Sequence, residues 1–439
     1  MDNLIADVIG DAALVLIVSS LFAVAARRLG QPAVVGQILA GILLGPSLLG
    51  HLPSHLSTRL FPHAALPYLN VISQVAVALF MFGVGYELNR KSLRQNYRAA
   101  VLVAVGALGL PLLLGTGSVL VFKSAYTSLG QVATGHSLIL FMGVAVSITA
   151  LPVLAAIMRE RGLSGTTAGV TATTAAGIMD VAAWILLAAA LVGTSKASGR
   201  SWPVTLALIL AFAAVMLLGV RPALRWWIRR PRTLLASQVP VALALTLGSA
   251  WVTASLGLHP VFGGLLAGLT MPSRDDNADP DVLRAVDGAS NALLPLFFVV
   301  TGLSVNVTDL NGTAFAVLAL LTAIAGFGKL VPGYLASRLG GLDRKDAATT
   351  AALVNTRGLT ELIALNVGLS SGLIGQRLFS VLVLMAVLTT VTTAPLLTLI
   401  RPRTMAEPPD AGSPGPREPD RLAGLGGGTM HSPEGKGAV

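Results

Sequence analysis

The sequence predicts an all-α membrane protein that crosses the bilayer about thirteen times, and three observations carry this prediction. The chain of 439 residues is 54% hydrophobic and only 11% charged. Its mean hydropathy of +0.77 is far too high for a soluble protein of this length. Its 47 glycines are typical of membrane helices, whose backbones approach one another closely.

Apolar windows of the length that crosses a hydrocarbon core recur along the whole chain. The ninth window is short enough to be re-entrant or to merge with its neighbour. Because the count is odd, helices seven apart run in opposite directions, so helices one to six can form inverted repeats with helices eight to thirteen. The predicted spans are 4–26, 33–50, 67–88, 99–122, 135–158, 169–193, 203–220, 236–257, 259–273, 289–306, 313–337, 347–370 and 376–399.

The basic residues are distributed unevenly between the two sides of these spans. With the amino terminus placed outside, 23 of the 30 lysines and arginines fall on the inner side and five on the outer side. This asymmetry predicts a multi-pass protein of the plasma or inner membrane with its carboxyl tail in the cytoplasm. The formal charge of +10 is therefore a topological signal, and no nucleic-acid partner is expected.

Residues 401–439 are rich in proline, glycine and charge, which predicts a disordered tail after a membrane domain spanning residues 1–400. The tail has no strand followed by GxGxxG, so we expect no nucleotide-sensing domain. The chain has no cysteine, which excludes thiolate metal sites. The six histidines show no zinc spacing, and we expect no cofactor and no enzymatic activity.

Two charged residues lie deep within apolar spans, namely Asp180 in TTAAGIMDVAAWILL and Lys329 in TAIAGFGKLVPGYLA. A charge at that depth costs on the order of 3 kcal/mol unless it is paired, hydrated or neutralised. A single carboxylate holds either a proton or a desolvated alkali cation, but not both tightly. Competition between a proton and a cation at Asp180 would therefore couple the fluxes of the two ions. The alternative for Asp180 and for Lys329 is a structural role in a buried ion pair.

The fifth span contains a motif that predicts a broken helix, AVSITALPVLAAIM. Pro152 removes a backbone hydrogen bond from the helix. The hydroxyls of Ser147 and Thr149 can satisfy the freed backbone groups or coordinate a cation. A simple proline kink remains the alternative.

The twelfth span, the inverted counterpart of the fifth, is interrupted at the corresponding place. In ALVNTRGLTELIALNVGL, the apolar pattern is broken by Asn355, Thr356 and Gly358. Two interrupted helices that cross at mid-membrane would direct half-helix dipoles and free carbonyls towards one point, which favours a bound ion. Arg357 and Glu361 are spaced to form an internal ion pair on this helix, although Glu361 could instead bind a proton or cation directly.

The chain contains five strings that together indicate one family, namely GQILAGILLGPSLLG, FMFGVGYELN, GLHPVFGGLLAGL, LPLFFVVTGLSVN and NTRGLTELIALNVG. They resemble the monovalent cation:proton antiporter family, of the cation:proton antiporter-2 type. The resemblance covers roughly residues 5–399. It implies a homodimer whose dimerisation panel is formed by helices one to three and eight to ten, and a mobile core, formed by helices four to six and eleven to thirteen, that carries the ion in an elevator-like movement.

The family's paired acidic motif aligns with Met179 and Asp180, so that the ion-binding carboxylate is present but its acidic neighbour is replaced by methionine. In electrogenic members the missing acid partners a core lysine, which aligns with Lys329. The sequence therefore leaves the stoichiometry open.

Together these features predict an antiporter that exchanges sodium, or alternatively potassium, for protons. Asp180 would be the shared site, assisted by Thr149, Ser147 and the carbonyls around Asn355 and Thr356, while Lys329 balances charge. A cation uniporter or channel and an organic-solute symporter on the same scaffold are the rival transporters. An intramembrane aspartyl protease needs two membrane aspartates, and the deep spans supply only Asp180.

Overall fold

The computed structural model describes residues 2–49, 60–62, 64–87, 97–129, 135–163, 165–192, 202–228, 238–256, 259–272 and 279–401. These residues belong to one compact unit, Met1–Pro402. The predicted disordered tail, apart from Arg401, lies outside the described residues.

The described residues fold into helices and contain no β-strand, which confirms the predicted all-α class. A π-helical turn, Val215–Val220, joins the helices Trp202–Ala214 and Arg221–Ile228. In chain order the helices are α1 (Asp2–Arg28), α2 (Ala33–Leu44), α3 (Leu66–Glu87), α4 (Tyr97–Val121), α5 (Lys123–Ser128), α6 (His136–Ser147), α7 (Leu151–Glu160), α8 (Thr167–Val192), α9 (Trp202–Ala214), α10 (Arg221–Ile228), α11 (Gln238–Ser255), α12 (Pro260–Thr270), α13 (Pro280–Leu303), α14 (Gly312–Leu339), α15 (Arg344–Val354), α16 (Leu359–Ser370) and α17 (Gln376–Ile400).

Within the described part of the chain, nine helical stretches are long and apolar enough to cross a membrane. Three shorter apolar helices, α2, α6 and α12, accompany them. The predicted fifth and twelfth spans are each divided into two short helices, because the backbone leaves the helical conformation at the interrupted motifs. The short predicted ninth span is α12, a helix of only 11 residues.

Some boundaries differ from the prediction for local reasons. The predicted tenth span begins at residue 289, but α13 begins at Pro280, because the side chain of Asp279 caps the helix and the proline occupies its first position. The predicted seventh span ends at residue 220, but its helix continues through the π turn into the arginine- and tryptophan-rich α10. Apolar windows cannot detect such polar extensions.

The helices pack in two groups. The first helix group consists of α1, α2, α3, α11, α12 and α13, and the second consists of α4 to α8 and α14 to α17. Glycine permits close packing in the first group: a Cβ atom on Gly41 of α2 would lie 2.3 Å from the carbonyl oxygen of Val299 in α13. The largest buried apolar cluster draws most of its residues from the second group. This group contains both broken spans.

Candidate functional site

The fifth span breaks between α6 and α7. Helix α6 ends at Ser147, Ile148 adopts an extended conformation with φ −60° and ψ 142°, and α7 begins at Leu151. Pro152 is thus the second residue of α7 rather than the point of the break. A proline is tolerated in the first turn of a helix, because the N–H groups there have no partner within the helix.

The twelfth span breaks between α15 and α16 at a glycine. Helix α15 ends at Val354, and Gly358, with φ 154° and ψ −121°, precedes α16. This backbone conformation is strained for any residue with a side chain. A Cβ atom at Gly358 would also lie 2.6 Å from Cγ2 of Val153 in α7. The close approach of the two broken spans therefore requires glycine at this position.

The two breaks are hydrogen-bonded to each other, and we call Ile148–Ala150 together with Asn355–Gly358 the crossover. The N–H group of Ala150 donates to the carbonyl oxygen of Thr356 at 3.0 Å. The Thr149 hydroxyl donates to the carbonyl oxygen of Val354, also at 3.0 Å. In return, the Thr360 hydroxyl donates to the carbonyl oxygen of Thr149 at 3.2 Å. The predicted meeting of the two interrupted motifs is therefore present in the structure.

Lys329 of α14 reaches the crossover with its ammonium group. Its Nζ atom lies 2.6 Å from the carbonyl oxygen of Ile148 and 2.5 Å from Oγ1 of Thr149. The lysine is completely buried, and among the described residues no carboxylate lies within ion-pair distance of it. The ammonium therefore satisfies a carbonyl that the helix break leaves without a backbone donor.

Arg357 forms the ion pair that its spacing from Glu361 allows, with 2.8 Å between Nη1 and Oε1 and both side chains completely buried. The same guanidinium donates to the carbonyl oxygen of Ala145 at 3.2 Å and to that of Val146. These carbonyls belong to the last turn of α6, where the helix dipole is negative. Arg357 is thus a cap for the first half of the broken fifth span, as well as a partner for Glu361.

Asp180 lies in α8 and is 5% exposed. The preceding residue, Met179, contacts the crossover, with its Sδ atom 3.9 Å from Oγ1 of Thr149. Both carboxylate oxygens of Asp180 are buried without a hydrogen-bond partner among the described residues, as is Oδ1 of Asn355. Buried polar atoms in native proteins nearly always have partners. These oxygens are therefore free acceptors of the candidate site, as is Oε2 of Glu361.

The side chains of two other predicted residues, Ser147 and Thr356, form hydrogen bonds with nearby backbone carbonyls of their own segments. The hydroxyl of Ser147 donates to the carbonyl oxygen of Val144 within α6, at 3.0 Å. That of Thr356 donates to the carbonyl oxygen of Leu353 at 2.6 Å. Each hydroxyl oxygen nevertheless keeps its lone pairs as possible acceptors.

The sequence reasoning missed three threonines that support the crossover. Besides Thr360, the hydroxyl of Thr390 donates to the carbonyl oxygen of Arg357 at 3.0 Å, and Oγ1 of Thr393 lies 3.5 Å from Nδ2 of Asn355. Thr390 and Thr393 belong to α17, in the string TTVTT. This hydroxyl-rich interruption of an apolar span is the signal that could have revealed them.

The donor set of the site fits a mobile monovalent cation. Among the described residues there is no group of three or more His, Cys, Asp or Glu side chains that could hold a metal. One carboxylate with amide, hydroxyl and carbonyl oxygens is a hard, weakly charged set, which favours an exchangeable alkali cation over a resident transition metal.

A buried, unpaired carboxylate beside two crossed, interrupted helices in a multi-pass membrane protein defines a class, the ion-coupled secondary transporters with broken helices. Residues 13–399 match the family described as sodium/hydrogen exchanger, transmembrane, and the chain therefore belongs to this monovalent cation:proton antiporter family. Members of the family are transporters, so the chain is not an enzyme, in agreement with the prediction.

Individual relatives support this assignment. The chain is 37% identical over 407 residues to the Na(+)/H(+) antiporter NhaS4 of Synechocystis, with 91% of this chain and 97% of that protein covered. It is 36% identical over 402 residues to Cation/H(+) antiporter 20 of Arabidopsis thaliana, with coverage of 88% and 48%. It is 31% identical over 405 residues to the K(+)/H(+) antiporter 1 of Saccharomyces cerevisiae, with coverage of 89% and 46%.

The chain therefore spans nearly all of the cyanobacterial relative but about half the length of the plant and yeast relatives. Among solved structures, the sodium proton antiporter MjNhaP1 of Methanocaldococcus jannaschii has a similar fold, with a TM-score of 0.61 at 15% identity and coverage of 90% of this chain and 97% of that chain. This similarity confirms the predicted antiporter fold.

Proposed function

We propose that this protein exchanges a monovalent cation, sodium in the first instance, for protons, and that Asp180 is the shared binding site. The observation that carries the proposal is the carboxylate of Asp180, which is buried and without a hydrogen-bond partner among the described residues. Such a charge is costly unless a proton or a cation neutralises it. Because the two ligands exclude each other, release of one accompanies uptake of the other.

Oxygens at the crossover and in the adjoining end of α6 complete the proposed cation site. Thr149 and Ser147 would contribute hydroxyl oxygens, and Asn355 and Thr356 would contribute amide or carbonyl oxygens. Lys329 balances the charge of Asp180 through space while it holds the crossover. Arg357 and Glu361 neutralise each other, so in this proposal they shape the site and do not bind the transported ion.

In the proposed transport cycle, the two helix groups have different roles. We assign the first group (α1, α2, α3, α11, α12 and α13) to the predicted panel and the second group to the predicted mobile core. In the proposed cycle, the core carries Asp180 across the membrane relative to the panel of a homodimer. The excess of basic residues on one side favours an external amino terminus and a cytoplasmic tail, in the plasma or inner membrane.

Potassium is the second candidate for the transported cation. The yeast relative is named as a potassium/proton antiporter, whereas the cyanobacterial relative is named as a sodium/proton antiporter. The oxygen ligands proposed here suit either ion.

The test is transport by the purified protein in sealed proteoliposomes that contain a pH-sensitive dye, with sodium, potassium and lithium supplied in turn. We expect a cation gradient to drive proton movement in the wild type and in Asp281→Asn, a matched control whose side chain is exposed on α13. We expect no exchange in Asp180→Asn, because the amide takes up no proton at neutral pH and carries no negative charge for a cation to neutralise. Exchange by Asp180→Asn would disprove the assignment of the site.

The same assay tests the rival functions. A uniporter or channel would move the cation without moving protons, and a symporter of organic solutes would not respond to the three salts. Either result in the wild type would overturn the proposed exchange.

A further inference from the structure

Two contacts join the two helix groups in the neighbourhood of the site. Trp184 of α8 packs edge to face against Phe262 of α12, with ring centroids 5.7 Å apart and an interplanar angle of 86°. The amide of Asn366 in α16 donates to the hydroxyl oxygen of Thr301 in α13 at 3.0 Å. In each case a helix of the second group contacts a helix of the first group.

In the predicted alternation of spans, α8, α13 and α16 run in the same direction through the membrane, so both contacts lie beyond Asp180 towards the end of α13. Trp184 is one helical turn after Asp180 and on the same face of α8. Asn366 is in α16, the half-helix that leads away from the crossover, and it reaches the carboxyl end of α13. Trp184 and Thr301 are 6% and 1% exposed. The contacts thus separate Asp180 from the membrane surface at which α13 ends.

We propose that the Trp184–Phe262 contact and the Asn366–Thr301 hydrogen bond form a seal that closes one of the two aqueous routes to Asp180. This inference rests on the proposed function, in which the two groups move past each other. An exchanger stays coupled only if its site never faces both sides at once, so contacts between the groups must alternately form and break. The aromatic pair excludes water, and the polar pair fixes the register in which the two groups meet.

The absence of cysteine from the sequence allows a clean cross-linking test. In Thr301→Cys/Asn366→Cys, a disulfide would hold the seal closed. We expect this variant to exchange cation for protons in proteoliposomes when reduced, to lose at least tenfold in rate on oxidation, and to recover when the disulfide is reduced again.

A control pair lies near the same surface but does not bridge the two groups. The hydroxyl of Ser47, after α2, donates to the carbonyl oxygen of Val305, after α13, at 2.9 Å. Because α2 and α13 both belong to the first group, a disulfide in Ser47→Cys/Val305→Cys should leave transport unchanged.

A second pair tests the aromatic contact. In Trp184→Cys/Phe262→Cys, a short bifunctional thiol reagent should stop transport, whereas a monofunctional reagent of similar size should not stop it. This pair also tests the seal if Thr301→Cys/Asn366→Cys is inactive when reduced.

The results separate the seal from the proposed function. A wild type without exchange would refute the proposed function itself. An active wild type whose cross-linked seal variants remain active would overturn the seal and leave the function intact. Failure of Thr301→Cys/Asn366→Cys to cross-link, or inactivity of both unlinked seal pairs beside an active control pair, would also overturn it.

Discussion

The Nζ atom of Lys329 lies 2.5 Å from the hydroxyl oxygen of Thr149 and 2.6 Å from the carbonyl oxygen of Ile148. The buried ammonium of this protein thus rests on neutral oxygens of the crossover rather than on a carboxylate. Thr149 is the centre of this arrangement, because its hydroxyl accepts from Lys329 and donates to the carbonyl oxygen of Val354. Asp180, whose oxygens have no partner among the described residues, is left available for a proton or a cation.

Replacement of Thr149 by valine should weaken both stability and transport. Valine has a similar shape but no hydroxyl, so Lys329 loses an acceptor and the carbonyl of Val354 loses its donor, at a cost of about 1–3 kcal/mol for each buried group left unsatisfied. We expect a lower unfolding temperature in detergent and a transport rate reduced tenfold or more. Thr149→Ser retains the hydroxyl and should stay close to the wild type. A larger loss in Thr149→Ser than in Thr149→Val would show that the methyl group, not the hydroxyl, is important.

Loss of one charge of the buried Arg357–Glu361 pair should destabilise the protein more than loss of both charges. Removal of one partner, as in Glu361→Gln, leaves Arg357 buried without its counter-ion and should cost about 3–5 kcal/mol. The double variant Arg357→Met/Glu361→Leu removes both charges and should unfold at a higher temperature than Glu361→Gln, although Ala145 and Val146 lose their cap. Thermal unfolding of the three proteins tests this order. If the double variant unfolds at the same temperature as Glu361→Gln or at a lower one, the two charges are not coupled.

The sequence predicted the crossover well because breaks in a membrane helix are encoded locally. Polar residues and glycine at 355–358 interrupt the twelfth span, which breaks there, and the fifth span breaks at 148–150, just before the proline at 152. The contacts between side chains of different helices were harder to predict from the sequence. No local pattern indicates that Arg357 caps α6, that Lys329 donates to Thr149 or that Trp184 packs against Phe262. Each of these contacts joins residues more than 70 positions apart in the chain and depends on the orientation of whole helices.

Gly358 should be sensitive even to alanine. Its backbone, with φ 154°, is strained for other residues by about 1–3 kcal/mol, and the new methyl group would lie 2.6 Å from Cγ2 of Val153. Gly358→Ala should therefore lower the unfolding temperature and the transport rate. Adding Val153→Ala removes the clash but not the strain, so it should restore only part of the loss. In Gly326→Ala, where no atom lies within 4 Å of the new Cβ, we expect no loss. Full rescue by Val153→Ala would show that strain is negligible.

Met179 offers a way to change the charge moved in each cycle. In the proposed cycle of the wild type, only Asp180 exchanges partners, and either a proton or a cation neutralises it, so we expect a rate that is insensitive to membrane voltage. The Sδ atom of Met179 is 3.9 Å from Oγ1 of Thr149, which in turn contacts Lys329. Met179→Asp would place a second carboxylate within reach of Lys329. The net charge of this carboxylate and the lysine would then depend on whether Asp180 holds a proton or a cation.

Transport by Met179→Asp should therefore respond to an imposed potential. Movement of one additional charge through 100 mV is worth about 2.3 kcal/mol, which is enough to change the rate several-fold. Met179→Leu keeps the size and neutrality of methionine and should remain insensitive. The measurement is the initial rate of exchange in proteoliposomes clamped at zero and at about 100 mV with an ionophore for an ion that the protein does not transport. A voltage response in the wild type equal to that of Met179→Asp would show that Lys329 already contributes to the moving charge without an acidic partner.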